Sequence, residues 1–351
     1  MKKLFYLDKL RGLAIIFVVV QHITSPNIKM VSIGNPVWWI SDFFLSFSTP
    51  AVPIFIMISG ALLLSQKNDS SLFQFFSKRV KKVVIPFIAW IFIYYFFNLY
   101  VMHDYFQPYE FIKEVIKGSN TKHLPQHLWF MPLIISLYLV TPILKKFIEN
   151  ATLEEKRYFL VMSIFFGVII PMVQNFTDII IPYQGYIFSA LYFFIGYFMI
   201  SLSDDWVNRK NLFLSIFVAG FIFSFLGTYY LSISSGKYDG YWFSAQSPGI
   251  FLISISIFML FKRFFSQAPK TLFGKLFSYL GKMSYDIYFI HQFWIYILVN
   301  GLIRGYRISS FFPLPHFVEY ILINTLMILF FSIISIYIIR VVPFGKLIIP
   351  E

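Results

Sequence analysis

The stretch YLDKLRGLAIIFVVVQHI, Tyr6 to Ile23, decides the fold. Its run from Gly12 to Val20 is apolar enough for lipid, yet Asp8, Arg11 and His22 share one predicted helix with it. A helix turns about 100° per residue, so Arg11 and His22 differ by about 20° in azimuth and by roughly 16 Å in axial rise. Asp8 lies one turn before Arg11. One stripe therefore carries an acid, a guanidinium and an imidazole. A charged group at the bilayer centre costs at least about 2.5 kcal/mol on insertion scales, so such a group inside a span marks a functional site unless it pairs and snorkels at the interface. The interfacial alternative suits Asp8 and Arg11, at the helix start, better than His22.

Composition agrees with a lipid environment. The 351 residues are 58% hydrophobic and 13% charged, against about 25% charged in a soluble domain. The expected fold is all-α, a polytopic integral membrane protein of about ten transmembrane helices, forming a single membrane-embedded domain over 1–351. The absence of cysteine excludes disulfides, thiolate metal sites and a cysteine nucleophile. The six histidines form no HExxH pair, so no metal site is expected. Lys2 and Lys3 ahead of the apolar run imitate a signal peptide, but no small-residue cleavage site follows, and a retained first helix is expected.

Apolar stretches near bilayer length fall at about 5–25, 38–65, 83–102, 128–148, 158–175, 184–202, 211–231, 248–262, 276–303 and 317–340. Most of the 29 basic residues sit in alternate connections, such as Lys78–Lys82, Lys145–Arg157 and Lys262–Lys282, and few in the others. By the positive-inside rule both termini are cytosolic and 103–127 and 304–316 are outside. The net charge of +13 is thus chiefly a topology signal, and no nucleic-acid partner is expected.

Within the outer connection 103–127, PYEFIKEVIKG predicts a short amphipathic helix, with Pro108 in its first turn and Gly118 at its stop. His123 and His127 follow in a loop and read as ordinary interfacial histidines. Pro50 and Pro53 predict a break or kink in the second span. Trp129, at the outer edge of the fourth span, suits an aromatic belt. Arg79 and Lys82, at the cytosolic end of the third, share a helix face at i, i+3 and could hold phosphates as well as satisfy topology. His291 lies roughly 22 Å along the ninth span and His22 roughly 27 Å along the first, so two histidines at similar depth could line one cavity. Asp286, deeper in the ninth span, is a further buried-charge candidate.

Taken together, the stretches Arg11–His22, Val52–Gly60, Lys78–Phe87, Leu128–Leu144 and Met283–His291 resemble, in order and over nearly the whole chain, the bacterial membrane acyltransferases often called the "acyltransferase three" family. That resemblance implies a ten-span enzyme that moves an acyl group, usually acetyl, from acyl-coenzyme A to a hydroxyl, mostly on cell-surface sugars. It implies His22 as the catalytic histidine and Arg11 as its partner; the residue pattern itself adds Asp8, His291 and Trp129 as supporting residues. Arg79 and Lys82 fall on the family's pair of arginines for the donor. Lysine in the second place keeps charge but loses bidentate phosphate geometry. The implied co-substrate is acyl-CoA, chiefly acetyl-CoA, with no bound cofactor. The implied partners are a carbohydrate acceptor, the lipid bilayer of the bacterial cell membrane and other envelope glycan-synthesis proteins. Many relatives carry an extra extracytoplasmic hydrolase-like domain, which this chain is expected to lack.

The residue chemistry suits acyl transfer. A base must take the hydroxyl proton, for which histidine titrates in the right range, and positive charge must face the developing oxyanion. No GxSxG motif is present, which favours direct transfer over an acyl-serine intermediate. The competing class is a transporter or flippase for a polysaccharide or lipid-linked sugar, since kinked spans and buried charges also suit a transport path.

Overall fold

The computed structural model describes residues 4–66, 71–118, 120–177, 187–299, 316–343 and 345–350. Among these residues every regular element is helical. In chain order they are α1 (Phe5–Met30), α2 (Pro36–Ser48), α3 (Ala51–Leu63), α4 (Leu72–Arg79), α5 (Ile85–Val101), α6 (Pro108–Lys117), α7 (Phe130–Asn150) and α8 (Leu153–Ile164). There follow α9 (Ile170–Phe176), α10 (Ile187–Ser201), α11 (Asp204–Val207), α12 (Lys210–Ser235), α13 (Pro248–Phe264), α14 (Leu272–Trp294), α15 (Phe317–Val341) and α16 (Gly345–Ile348).

Each of the ten expected spans is mainly helical among the described residues. Eight helical segments are long and apolar enough to cross a membrane: Phe5–Met30, Pro36–Leu63, Leu72–Val101, Gln126–Asn150, Leu153–Phe176, Lys210–Ser235, Tyr241–Phe264 and Phe317–Val341. The remaining two differ for identifiable reasons. The apolar helix Phe188–Ser201 is shorter, and α14, at 23 residues, carries Lys275, Lys282 and Asp286. The end of the expected 276–303 span and most of the outer connection 304–316 lie outside the described residues.

Local chemistry explains the boundaries. The Asn35 side chain accepts from the Val37 N–H and Pro36 sits in the first turn of α2. The second span breaks at Thr49–Pro50, between α2 and α3, as its prolines predict. Thr271 accepts from the Gly274 N–H and opens α14. Gly118 closes α6 at a φ of +78°, a conformation that side chains with a Cβ rarely adopt.

The chain divides into two compact units. One comprises Met1–Ser65 with Ala151–Phe330, the other Gln66–Asn150 with Phe331–Glu351. In the first unit α1 is central, packing on α14, α2, α3 and α13, while α3 pairs with α10 and α12 with α13. Without a hydrophobic drive between helices in lipid, close packing of small residues brings them together. A Cβ on Gly12 would stand 2.0 Å from the Phe277 carbonyl oxygen, and one on Gly281 would stand 1.8 Å from that of Asp8, so α1 and α14 touch backbone to backbone. Gly60 and Gly196 do the same for α3 and α10, against the carbonyls of Phe193 and Met57.

Two lysines that read only as topology signals turn out to be helix caps. The buried Lys9 ammonium donates to the carbonyls of Phe265, at 3.0 Å, and Gln267, at 2.8 Å, just past the end of α13. Lys262 donates to the carbonyls of Met199, Ile200 and Leu202 at the end of α10. A cation there satisfies carbonyls that the helix leaves without partners and complements its dipole.

In the second unit the Trp90 indole donates to the Ile348 carbonyl at 3.2 Å and ties α16 to α5. The outer connection is organised around His123, whose Nδ1 lies 2.9 Å from Glu114 and whose Nε2 lies 3.1 Å from Asp104. The Asn98 amide donates to the His123 carbonyl at 2.7 Å. His123 and His127 are both buried, not interfacial as expected. The reason is that two acidic side chains, remote in sequence, close over His123, while His127 packs its ring on Tyr94. Lys122 pairs with Asp104. Hydrogen bonds from Lys122 and then His123 hold the Asp104 carboxyl below its ordinary range. Burial pushes Glu114 upward, but hydrogen bonds from Thr121 and His123 outweigh it and hold that carboxyl below its ordinary range as well.

Candidate functional site

The opening stretch folds as expected: α1 runs unbroken from Phe5 to Met30, so Asp8, Arg11 and His22 keep their helical spacing. All three are half-buried. Pro26 lies inside this helix. It has no N–H to offer the His22 carbonyl four residues earlier, which loosens the helix at the histidine.

The tight glycine contact fixes where His22 meets α14. Gly12 lies against Phe277 and Gly281 against Asp8, with the Gly12 nitrogen 3.2 Å from a Cβ built on Gly281. The two helices therefore run parallel, with Gly12 level with Gly281. Ten residues further along each helix, about 15 Å, stand His22 and His291. Their rings face each other, centroids 5.3 Å apart and planes inclined by 39°. The similar depth expected for the two histidines is thus direct juxtaposition.

Their environments differ. His291 is fully buried, and its Nδ1 lies 3.1 Å from the Ile287 carbonyl. A carbonyl only accepts, so Nδ1 carries the hydrogen and the neutral ring presents its lone pair at Nε2. His22 is half-buried. Asp286, on α14 five residues before His291, is buried.

Arg79, Lys82 and Trp129 belong to the second unit. Arg79 ends α4 and folds back on its own helix. Its guanidinium stands 3.9 Å from the Phe75 ring centroid and donates to the Phe75 carbonyl at 3.4 Å. The shared face expected for Arg79 and Lys82 is altered by the π-helical turn Val80–Val84. That turn inserts an extra residue, so side chains three apart no longer stack as on an ideal α-helix. Lys82 is exposed. Trp129 sits in a short 3₁₀ turn ahead of α7, half-buried, its ring against Phe130. Among the described residues no group of three or more histidine and acidic side chains could hold a metal ion.

One buried acid escaped the sequence argument. Asp42, on α2, is fully buried, and neither carboxylate oxygen has a hydrogen-bond partner among the described residues. The rule that singled out Asp286, an acid inside an apolar span, applies equally to Asp42. The prolines of the same span drew attention away from it.

A family described as an acyltransferase domain matches residues 4–341. The chain is also similar to a viral protein, "Putative acetyltransferase ORF330" of Acidianus two-tailed virus, with 24% identity over 323 residues, covering 87% of this chain and 88% of that one. No solved structure matches.

Proposed function

The chain belongs to the acyltransferase domain family, and from that premise we propose that it moves an acyl group, acetyl in the first instance, from cytosolic acyl-CoA to a hydroxyl of a cell-surface or lipid-linked sugar. The observation that carries the reading is the His22–His291 pair inside a helix bundle. The name of the viral relative supports acetyl as the group transferred.

His22 takes the proton of the acceptor hydroxyl as its oxygen attacks the thioester carbonyl. The tetrahedral intermediate collapses with cleavage of the carbon–sulfur bond, and the coenzyme A thiolate leaves with the proton from His22. The products are an ester and the free thiol, so atoms and charge balance. Histidine suits both steps because its ordinary titration range brackets neutral pH. His291, whose Nδ1 is held by the Ile287 carbonyl, positions the His22 ring that it lies against. Arg11, roughly 16 Å from His22 along α1, acts on the cytosolic, donor side. Arg79 and Lys82 hold the donor's phosphates.

Purified protein in proteoliposomes, given radiolabelled acetyl-CoA inside and membrane glycolipids as acceptors, tests this directly. Label appearing in ester linkage on the glycan supports the reading. Movement of unmodified glycolipid across the bilayer without acyl transfer overturns it in favour of a transporter.

A further inference from the structure

The α2 helix carries polar groups that its apolar surroundings do not explain. Asp42 is 0% exposed with both oxygens unpartnered among the described residues, and the fully buried Trp38 indole N–H, one turn earlier, is unpartnered in the same sense. Buried polar groups are nearly always hydrogen-bonded, and leaving one unpaired is costly, more so for a carboxylate. A donor and an acceptor one helical turn apart, both without protein partners, are complementary to a hydroxyl group, which accepts one hydrogen bond and donates another. They are poorly suited to a cation, which the indole N–H dipole repels.

Aromatic rings surround this pair. The Trp39 ring lies 4.5 Å from that of Tyr229, tilted by 37°, and meets Trp38 edge-on at 5.2 Å. Tyr238 packs against the same cluster. Trp39, Tyr229 and Tyr238 are half-buried, whereas Trp38 and Asp42 are closed off, so the rings form a rim and the polar pair a floor. Tyr238 lies close enough to Asp42 to feel its charge. Burial first, then the carboxylates of Asp42 and Asp239, push its phenol titration upward.

The placement is also informative. α1 and α2 form an antiparallel hairpin in which Phe17 meets Phe47 with ring centroids 5.2 Å apart. Five residues forward along α1 is His22, and five residues back along α2 is Asp42. Both helices rise equally per residue, so Asp42 stands at the height of His22.

Resting on the acyl-transfer reading above, we infer that Trp38 and Asp42, beneath the rim of Trp39, Tyr229 and Tyr238, form the acceptor subsite and take a pyranose ring. The ring's apolar C–H face lies on the electron-rich faces of the rim aromatics. One of its hydroxyls accepts from the Trp38 indole and donates to Asp42, leaving a neighbouring hydroxyl for His22. In the structure described here the rim is closed over the floor, so docking a sugar requires the half-buried rings to part.

The test uses the full chain in nanodiscs and the methyl glycosides of glucose, galactose and N-acetylglucosamine, with glycerol and sodium chloride as controls. Two readouts are taken, tryptophan emission on titration and the KM of each glycoside for acetyl transfer. At least one pyranoside is expected to shift the emission saturably where glycerol and sodium do not. Asp42→Asn, which alters a buried hydrogen-bonding group, and, separately, Trp39→Phe, which shrinks the stacking face, should each raise that pyranoside's KM about threefold to tenfold and weaken the emission response in parallel. Trp206→Phe, on α11, should change neither. Wild-type KM and titration in both site variants would overturn the subsite, as would an equal response to glycerol or sodium. The Trp39 variant keeps the test decisive should the Asp42 variant fail to insert. If the wild-type chain transfers no acetyl group to any glycoside, the acyl-transfer reading is what fails, and the emission titration then judges the subsite alone.

Discussion

His22 of α1 and His291 of α14 stand ring to ring, 5.3 Å between centroids, although 268 residues separate them in the chain. His22 is half-buried and His291 fully buried, and the proposed mechanism gives them different tasks. His22→Ala should lower kcat by about 10²–10⁴, the usual loss on removing a general base, in protein that still inserts. His291→Gln keeps a donor and an acceptor and should retain partial activity. Complete loss in a stable His291→Gln protein would mean that the two roles are exchanged.

The pair depends on glycine. A Cβ on Gly281 would stand 1.8 Å from the Asp8 carbonyl oxygen, and backbone atoms on both sides leave it no room. Gly281→Ala should therefore push α14 away from α1 and cost about 1–3 kcal/mol, the range for overpacking. Thermal unfolding in detergent, followed by size-exclusion chromatography, measures this. Wild-type stability together with wild-type activity would show that the contact is looser than the structure has it.

The outer connection should respond to acid. Asp104 and Glu114 both titrate below their ordinary values when folded. The unfolded segment therefore takes up protons first as pH falls. Their contribution to stability is fully present above about pH 4.3, the ordinary glutamate value, and is lost as pH drops through the folded values. Limited proteolysis of 103–127 should be flat from pH 7 to about pH 5 and accelerate below about pH 4. Glu114→Gln should make cleavage faster already at neutral pH and flatten its pH dependence.

Arg79 is held by Phe75, so its charge has a defined position at the end of α4. Arg79→Ala should raise the KM for acetyl-CoA more than that for the acceptor. Lys82→Arg should hold or improve donor affinity, since guanidinium restores bidentate phosphate contact. Unchanged donor kinetics in the Arg79→Ala/Lys82→Ala double variant would return this cluster to a topology signal.

The basic-residue pattern predicts cytosolic termini by the positive-inside rule, and the lack of native cysteine makes labelling direct. A cysteine at Glu110 should react with an impermeant maleimide in intact cells, and one at Asn150 should react only after permeabilisation. The reverse pattern would invert the orientation and remove the cytosolic donor.

The sequence alone determined the helical class, the positions of the spans, the break at Pro50, the amphipathic α6 and the His22 stripe. Each rests on local information: hydropathy over a bilayer's width, a 100° turn per residue, or a proline without its N–H. The motifs along the chain also sufficed to identify the family. Tertiary structure decided everything that depends on which helix meets which. Only the contact of Gly12 with Phe277 and of Gly281 with Asp8 sets the parallel register that brings His291 to His22. Only packing turns Lys9 and Lys262 from loop charges into caps, draws Asp104 and Glu114 over His123, and closes the aromatic cluster around Asp42. Such partners lie tens to hundreds of residues apart. Hydropathy and periodicity are properties of one segment at a time, so they show that a helix has a face without showing what that face meets.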